Sequence, residues 1–441
     1  MVVVKIASIC HKYPPHVRGG LGRYMERMTQ RLTEANHETM LITMNYPGEH
    51  QPVTHHAHQI IIRPTIPRWF RKLLSTDKHM PKLLMYFWLA VHFLSFNLQA
   101  YGIVRKLYRT QGVDIIAIHD WMNSIVGILC AITLPIPVVF HIHTTEFTMT
   151  QAGKQTDRLK LIYFAERLLG MVSHRVIVPS HEMRALLIQN GWEERKIYVV
   201  HHGYEDDGYQ WFQSLADEDR SQRITRLRAQ LNIPQDHNIL LFVGRLCTVK
   251  GIYDLIEAMP CVLAKSPNTH LVIVGTGLLG TSNWGAEDNQ HVQTLIHDLG
   301  LESRIHASYT FLDFQEVLLH YALADICIFP SSYEPFGLVA LEAMALGKPV
   351  ILGNGFPAVL SEAGEESTAY RLTHVNAQSL TEAITQLLQN PHRAQTMGQC
   401  ADQMVHQNFR WDITVQRTTA IYQSCCRQLP QEEYINEAAQ K

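Results

Sequence analysis

The chain has 441 residues, enough for two or three domains, and at 46% hydrophobic and 18% charged it has the composition of a folded globular protein. A formal net charge of −2 gives no bulk attraction to nucleic acid. Eight cysteines without a CxxC pair or regular spacing do not make a disulfide framework, so a reducing, cytoplasmic location is expected.

Residues 2–9 read as a first β-strand rather than a signal peptide. A loop with Pro14-Pro15 follows, then Gly19-Gly20-Leu21-Gly22 and a helix over about 23–35. Strand, glycine-rich turn and helix make the first unit of a phosphate- or nucleotide-binding α/β domain, because glycines let the backbone approach a ligand closely. An ordinary tight turn fits the same residues.

Residues 83–101, LLMYFWLAVHFLSFNLQAY, carry no formal charge and approach the length of a membrane span. His92, Ser95, Asn97 and Gln99 interrupt them and are costly at membrane depth. A long helix mostly buried in the first domain is the expected reading. The stretch before it sets Arg68, Arg71, Lys72, Lys78 and Lys82 among Trp69, Phe70, Leu73 and Leu74. Basic and aromatic residues interleaved this way can rest on an anionic membrane, so peripheral contact on the inner face stays open through residues 68–82.

Short apolar strands are expected at 40–44, 59–63, 114–119, 138–143, 175–179 and 196–201, separated by helical stretches. That alternation predicts a parallel sheet with helices on both faces and ligands at the carboxyl ends of the strands. His119, Asp120, His143 and Glu146 fall at such ends. Residues 203–236 are polar and charged, and are expected to connect two domains. Asp217-x-Asp219 does not end an apolar strand and is set aside as a metal motif. His141-x-His143 and His201-His202 are also not assigned to metal, on the expectation that the members of each pair point to opposite strand faces.

A second α/β domain is expected over 237–408. Its first strand, 239–243, leads to Gly244-Arg245-Leu246 and Lys250-Gly251. A later apolar run, 326–330, leads into SSYEPFGLVALEAMALG at 331–347. Glu334 lies on that turn, and Glu342 lies within the helix that opens after Gly337. A helix N-terminus in this setting attracts anions. Acids beside it would serve hydroxyls, so a ligand with both phosphates and hydroxyls, a sugar nucleotide, fits. Residues 409–427 read as a last amphipathic helix, and 428–441 as a loose polar tail.

With Arg245, Lys250, Glu334 and Glu342 in place, the chain resembles the retaining glycosyltransferases of family 4, the group that includes glycogen and sucrose synthases. VGRLCTVKG and SSYEPFGLVALEAMALGKPV carry the likeness most strongly, with Glu334 and Glu342 in the E-x7-E spacing. GGLGRYMERM, HDW, HIHTTEF and WDITVQRTTAIY extend it over nearly the whole chain. The resemblance implies a GT-B fold of class α/β: two facing Rossmann-like domains, 1–202 and 237–408, with the 409–427 helix crossing back to the first.

It also implies roles. Arg245 and Lys250 would stabilise the leaving diphosphate, and Glu334, Phe336, Gly337, Leu338 and Glu342 would complete the donor site, with Glu334 on the sugar and Glu342 on the ribose. Gly19 and Gly20 would close over the diphosphate from the first domain. His143 would act near the sugar, with His141 competing for that role, while Asp120 and Glu146 would line the acceptor side. With two cations at the diphosphate, no metal or other cofactor is expected.

The implied reaction moves a hexosyl group from a UDP-, GDP- or ADP-sugar to a hydroxyl of a glycan, a lipid-linked sugar or a small molecule. A GT-B epimerase or phosphorylase and a non-catalytic sugar-nucleotide-binding protein are the alternatives. Two departures from the family pattern stand out. His202-Gly203 replaces an Asn-Gly, and the loop 353–358, GNGFPA, replaces a Gly-Gly-x-Pro-Glu type segment, which leaves the donor sugar undefined.

Overall fold

The computed structural model describes residues 3–14, 20–45, 51–56, 58–64, 82–145, 157–204, 206–277, 286–310, 312–360 and 367–427. Gly19, Glu146, the stretch 65–81 and the tail 428–441 lie outside them. The chain divides into two compact units, residues 1–202 with 411–441, and residues 203–410.

The first unit is built on an eight-stranded sheet: β1 (Lys5–Cys10), β2 (Glu38–Thr43), β3 (Val53–His56), β4 (Gln59–Ile62), β5 (Ile115–His119), β6 (Val138–His141), β7 (Arg175–Val178) and β8 (Ile197–Val199). Their spatial order is β3-β4-β2-β1-β5-β6-β7-β8. Only the β3–β4 pairing is antiparallel. Strand order reverses between β1 and β5, where Ile6 pairs with Ile115 and Ile9 with Ile118. In doubly wound sheets such a reversal opens a crevice at the carboxyl ends of the strands.

Helices α1 (Gly20–Glu34), α2 (Lys82–Thr110), α3 (Ser124–Thr133), α4 (Asp157–Val172) and α5 (His181–Gln189) connect these strands. One sheet face buries Phe96, Ala100 and Val104 of α2 with Val126 of α3 and Leu169 of α4. The other buries Met25 and Leu32 of α1 with Trp411, Val415 and Tyr422 from the end of the chain.

Residues 83–101 therefore belong to α2, one face of which is core, and no helix among the described residues is long and apolar enough to cross a membrane. The polar interruptions have work in that core. Asn97 is buried, its Oδ1 accepting from the Val126 amide at 3.0 Å while its amide group donates to the Met122 carbonyl at 2.9 Å. The side chain thus fixes the start of α3 against α2.

The second unit holds a six-stranded, all-parallel sheet: β9 (Asn238–Val243), β10 (Thr269–Val274), β11 (Ile305–Ala307), β12 (Ile326–Phe329), β13 (Val350–Leu352) and β14 (Tyr370–Arg371). The order β11-β10-β9-β12-β13-β14 reverses between β9 and β12. These strands are nearly continuous apolar runs because both faces are covered. Helices α6 (Asp206–Ser214) and α7 (Asp217–Gln230) precede the sheet, and α8 (Ile252–Lys265), α9 (Ala286–Asp298), α10 (Phe314–Leu323), α11 (Leu338–Met344), α12 (Ala377–Gln389) and α13 (Pro391–Asn408) follow.

Two boundaries differ from expectation. Residues 203–236 do not form a separate connection: Tyr204, Phe212 and Ile233 are buried in the core of the second unit, with Ile224 and Leu227 packed against it. Polar composition hid this because α6 and α7 bury only a narrow apolar stripe. Phe409 also stays with the second unit, its ring 5.7 Å edge-on from Phe336. The last helix, α14, runs Trp411–Arg427 and packs on the first unit, Thr414 Oγ1 donating to the His201 carbonyl at 2.9 Å.

Candidate active site

In the second unit the loops after β9 and β12 meet at the reversal of strand order. Ser332 donates its amide to the Val249 carbonyl at 2.9 Å, which ties the two loops together. Gly251 makes this approach feasible. Its φ is +69°, and a Cβ there would fall 2.1 Å from the Pro330 carbonyl oxygen.

This junction brings Lys250 onto Glu334. Their Nζ and Oε2 form an ion pair, with side chains only 16% and 13% exposed. Arg245, on the same loop, is exposed at the rim. Among the described residues, the site therefore offers one free cation beside a charge pair that an incoming anion and a hydroxyl-bearing ligand could separate and share.

Gly337 (φ +105°) caps α11, and a Cβ there would press to 2.5 Å of the Phe356 ring. The first intrahelical bonds of α11 run from the Ala340 and Leu341 amides to the Gly337 carbonyl. Helix amides ahead of that point have no intrahelical acceptor. Leu338 is partly buried beside them. Phe336 is only 2% exposed, its ring part of the core.

Glu342 is 5% exposed and accepts a hydrogen bond from the Tyr321 hydroxyl at 3.0 Å. Tyr321 is fully buried on α10. Its position, 21 residues away in sequence, gives no local signal.

The divergent loop 353–358 lies on this site. The Glu334 amide donates to the Gly355 carbonyl at 3.0 Å, and the Gly355 amide to the Ser331 carbonyl at 3.1 Å. Arg371 donates to the Asn354 carbonyl at 3.2 Å and the Pro357 carbonyl at 3.3 Å. A change in this loop is thereby transmitted to the backbone of Glu334.

In the first unit the strand-end residues form a buried cluster. His119 Nδ1 and His143 Nε2 lie 3.1 Å apart and share a hydrogen bond. His141 stacks on His119 at 4.4 Å between ring centroids, and its Nε2 lies 2.8 Å from the Tyr422 hydroxyl. The expectation that His141 and His143 diverge is corrected. Residues two apart lie on one side of an extended chain, and the two rings are near parallel at 6.5 Å. No group of three or more His, Cys, Asp or Glu among the described residues has the geometry to hold a metal ion.

Tyr24, from α1, sits 4.5 Å from the His143 ring and 4.4 Å from that of His202. Burial holds these histidines neutral. The pKa of His143 is pushed down to about 3, and those of His119, His141 and His202 fall well below the usual imidazole value. His143 Nδ1 is buried without a partner among the described residues. His11, just after β1, is buried in the same way, with neither ring nitrogen bonded among the described residues and its pKa pushed down to about 3 by burial.

Asp120, expected on the acceptor side, is buried. Its Oδ1 accepts from the His143 amide at 2.9 Å and the Thr144 amide at 3.4 Å. It clasps the turn that carries His143, from a backbone at φ 61° that few non-glycine residues adopt. Burial raises its pKa to about 6 against the pull of those amides. Gly20 is exposed at the first position of α1. His119 was legible as a strand-end residue. Tyr24, His11 and Tyr422 were not, and His202 stood out only as a departure from the family pattern, because tertiary packing alone brings them together.

Two doubly wound units, the second with its polar residues on the loops at the strand reversal, define the α/β class with two parallel-sheet units. Comparison with known proteins narrows the class. The model of glycosyltransferase family 4 matches residues 18–207, and that of glycosyl transferases group 1 matches residues 223–404. A D-inositol 3-phosphate glycosyltransferase of Corynebacterium aurimucosum is 30% identical over 316 residues, covering 70% of this chain and 71% of the relative.

The fold resembles sucrose-phosphate synthase of Thermosynechococcus elongatus, with a TM-score of 0.76 and 24% identity over 96% of this chain and 98% of that one. It also resembles the Anabaena protein HepE solved with UDP-glucose, with a TM-score of 0.71 and 19% identity over 95% and 99% of the two chains. The chain belongs to the GT-B glycosyltransferases of family 4.

Proposed function

We propose that this glycosyltransferase transfers a hexosyl group, with retention, from a nucleoside-diphosphate sugar to a hydroxyl acceptor, and that it does so without a metal. The observation that carries the reading is the Lys250–Glu334 ion pair beside exposed Arg245 at the strand reversal of the second unit. The donor diphosphate takes Lys250 away from Glu334 and gains Arg245 as a second cation. The freed Glu334 then accepts hydrogen bonds from sugar hydroxyls, and Glu342, oriented by Tyr321, accepts from the ribose.

Charge placed where the leaving group develops is commonly the largest catalytic contribution. In the step itself, the bond from sugar C1 to the diphosphate oxygen breaks while the acceptor oxygen bonds to C1 on the same face. The acceptor proton passes to the departing phosphate oxygen. The leaving nucleotide is UDP, GDP or ADP, and the UDP-glucose bound by the Anabaena neighbour favours testing UDP first. His143 is the acceptor-side candidate of the first unit. A cytoplasmic setting is supported by eight cysteines that are all unpaired.

The test is thermal stability with UDP, GDP and ADP. A nucleotide at 100 times its Kd adds about 2.7 kcal/mol to the unit that binds it. If none of the three shifts the protein, the donor-site reading fails. Arg245→Ala and Lys250→Ala are each expected to lower donor turnover by about 10²–10³. Unchanged turnover in both would leave a non-catalytic binder.

A further inference from the structure

Three neighbouring helices, α2, α3 and α4, cover one face of the first sheet and share its core. Their outward sides are unusual. Phe87 and Leu94 of α2, Ile125 and Ile132 of α3, and Phe164 and Met171 of α4 are all exposed, between 40% and 65%. Each pair is spaced i, i+7, so each forms one stripe along its helix. From residue 87 to 98 of α2, every described side chain that is exposed is apolar. On α4, Phe164 and Met171 are the only exposed positions among those described. Adjacent helices pack about 8–10 Å apart, so the three stripes make one apolar face rather than scattered residues.

The charge around that face is one-sided. Residues 83–113 hold three basic residues and no acid. Arg105, Lys106 and Arg109 are exposed at the end of α2. A symmetric dimer through this face would set these cations against their own copies, because such an interface brings each patch onto itself. An anionic surface instead neutralises the rim while taking up the apolar stripes.

We propose that the face of α2, α3 and α4 docks the protein peripherally on an anionic lipid bilayer. This inference stands apart from the donor-site reading.

Vesicle flotation with the full chain tests it. Binding is expected to vesicles of equimolar phosphatidylcholine and phosphatidylglycerol, with little to phosphatidylcholine alone, and is expected to weaken at high salt. Combining Arg105→Gln, Lys106→Gln and Arg109→Gln should weaken binding roughly 100-fold. Combining Leu94→Ser and Phe164→Ser should weaken it at least about tenfold, with an unchanged melting midpoint because both side chains are exposed. Should the serine variant fold poorly, the glutamine variant and the comparison of the two vesicle types decide. The proposal is overturned if the wild-type chain floats with neither vesicle, if the substitutions leave binding unchanged, or if Leu94→Ser instead dissolves a dimer seen by sedimentation.

Discussion

The two sheets reverse strand order in the same way, yet they furnish their strand ends differently. At the end of β5 and β6, the first unit carries a buried stack of neutral imidazoles held by Tyr422 and Tyr24. At the end of β9 and β12, the second unit carries loops with an ion pair, an exposed arginine and a helix start. The difference follows from burial. Imidazole can be desolvated by losing its proton, whereas an arginine keeps its charge and a Lys–Glu pair keeps its charges by holding each other. The first unit therefore buries neutral hydrogen-bonding groups at its strand ends, and the second presents charge there.

Acidification should break this contrast with the largest effect. Nine histidines of the first unit have lowered pKa values, against three in the second among the described residues. A histidine held neutral in the fold gains its proton on unfolding. Its stabilisation is present above pH about 6.5 and is lost as pH falls toward the folded value, about 3 for His11 and His143.

Each such group contributes a slope of up to about 1.4 kcal/mol per pH unit in that window. Asp120 opposes them. Its folded pKa of about 6 lies above the unfolded value, so its contribution is present at low pH and lost as pH rises through 6. One carboxylate does not offset nine imidazoles. Urea unfolding at pH 7.5 and 5.5 should show the first unit destabilised by several kcal/mol more than the second. Equal losses in the two would remove the contrast.

Gly251→Ala probes the loop junction of the second unit. The added Cβ meets the Pro330 carbonyl at 2.1 Å from a left-handed backbone, so a loss of about 1–3 kcal/mol is expected, together with weaker nucleotide binding. A neutral effect in the melting curve would show that the loops do not need this approach.

The smallest expected effects sharpen the comparison most. Tyr321→Phe and Tyr422→Phe each remove one buried hydroxyl and should each cost about 1 kcal/mol. Only the first should weaken nucleotide affinity, by about tenfold, because Glu342 loses the donor that orients its carboxylate. Calorimetric titration of both variants with the nucleotide that binds would separate them, and an equal loss in both would dissociate Glu342 from the ribose.

Legibility differed between the units for the same reason that their chemistry does. Arg245, Lys250, Glu334 and Glu342 were readable because each sits on a strand–turn–helix segment whose local pattern is visible in sequence. Their partners were less so. Tyr321 reaches Glu342 from another helix, and the 353–358 loop reaches Glu334 through backbone bonds that side-chain identity does not announce. Phe336 reads as a ligand contact because it sits inside a motif, yet its ring belongs to the core. Residues 203–236 read as a connection because polar composition masks a narrow apolar stripe.

The sequence by itself determined that this chain folds as two parallel α/β units, since short apolar runs alternating with amphipathic helices bury themselves efficiently in few other ways. It also set Arg245, Lys250 and Glu334 on loops that follow apolar strands, with Glu342 in the next helix. Only the tertiary structure decided that Lys250 rests on Glu334, that Asp120 clasps the turn of His143, and that the last helix brings Tyr422 to His141. Those contacts join residues up to 281 positions apart, and no local periodicity encodes which buried polar groups will have to satisfy one another.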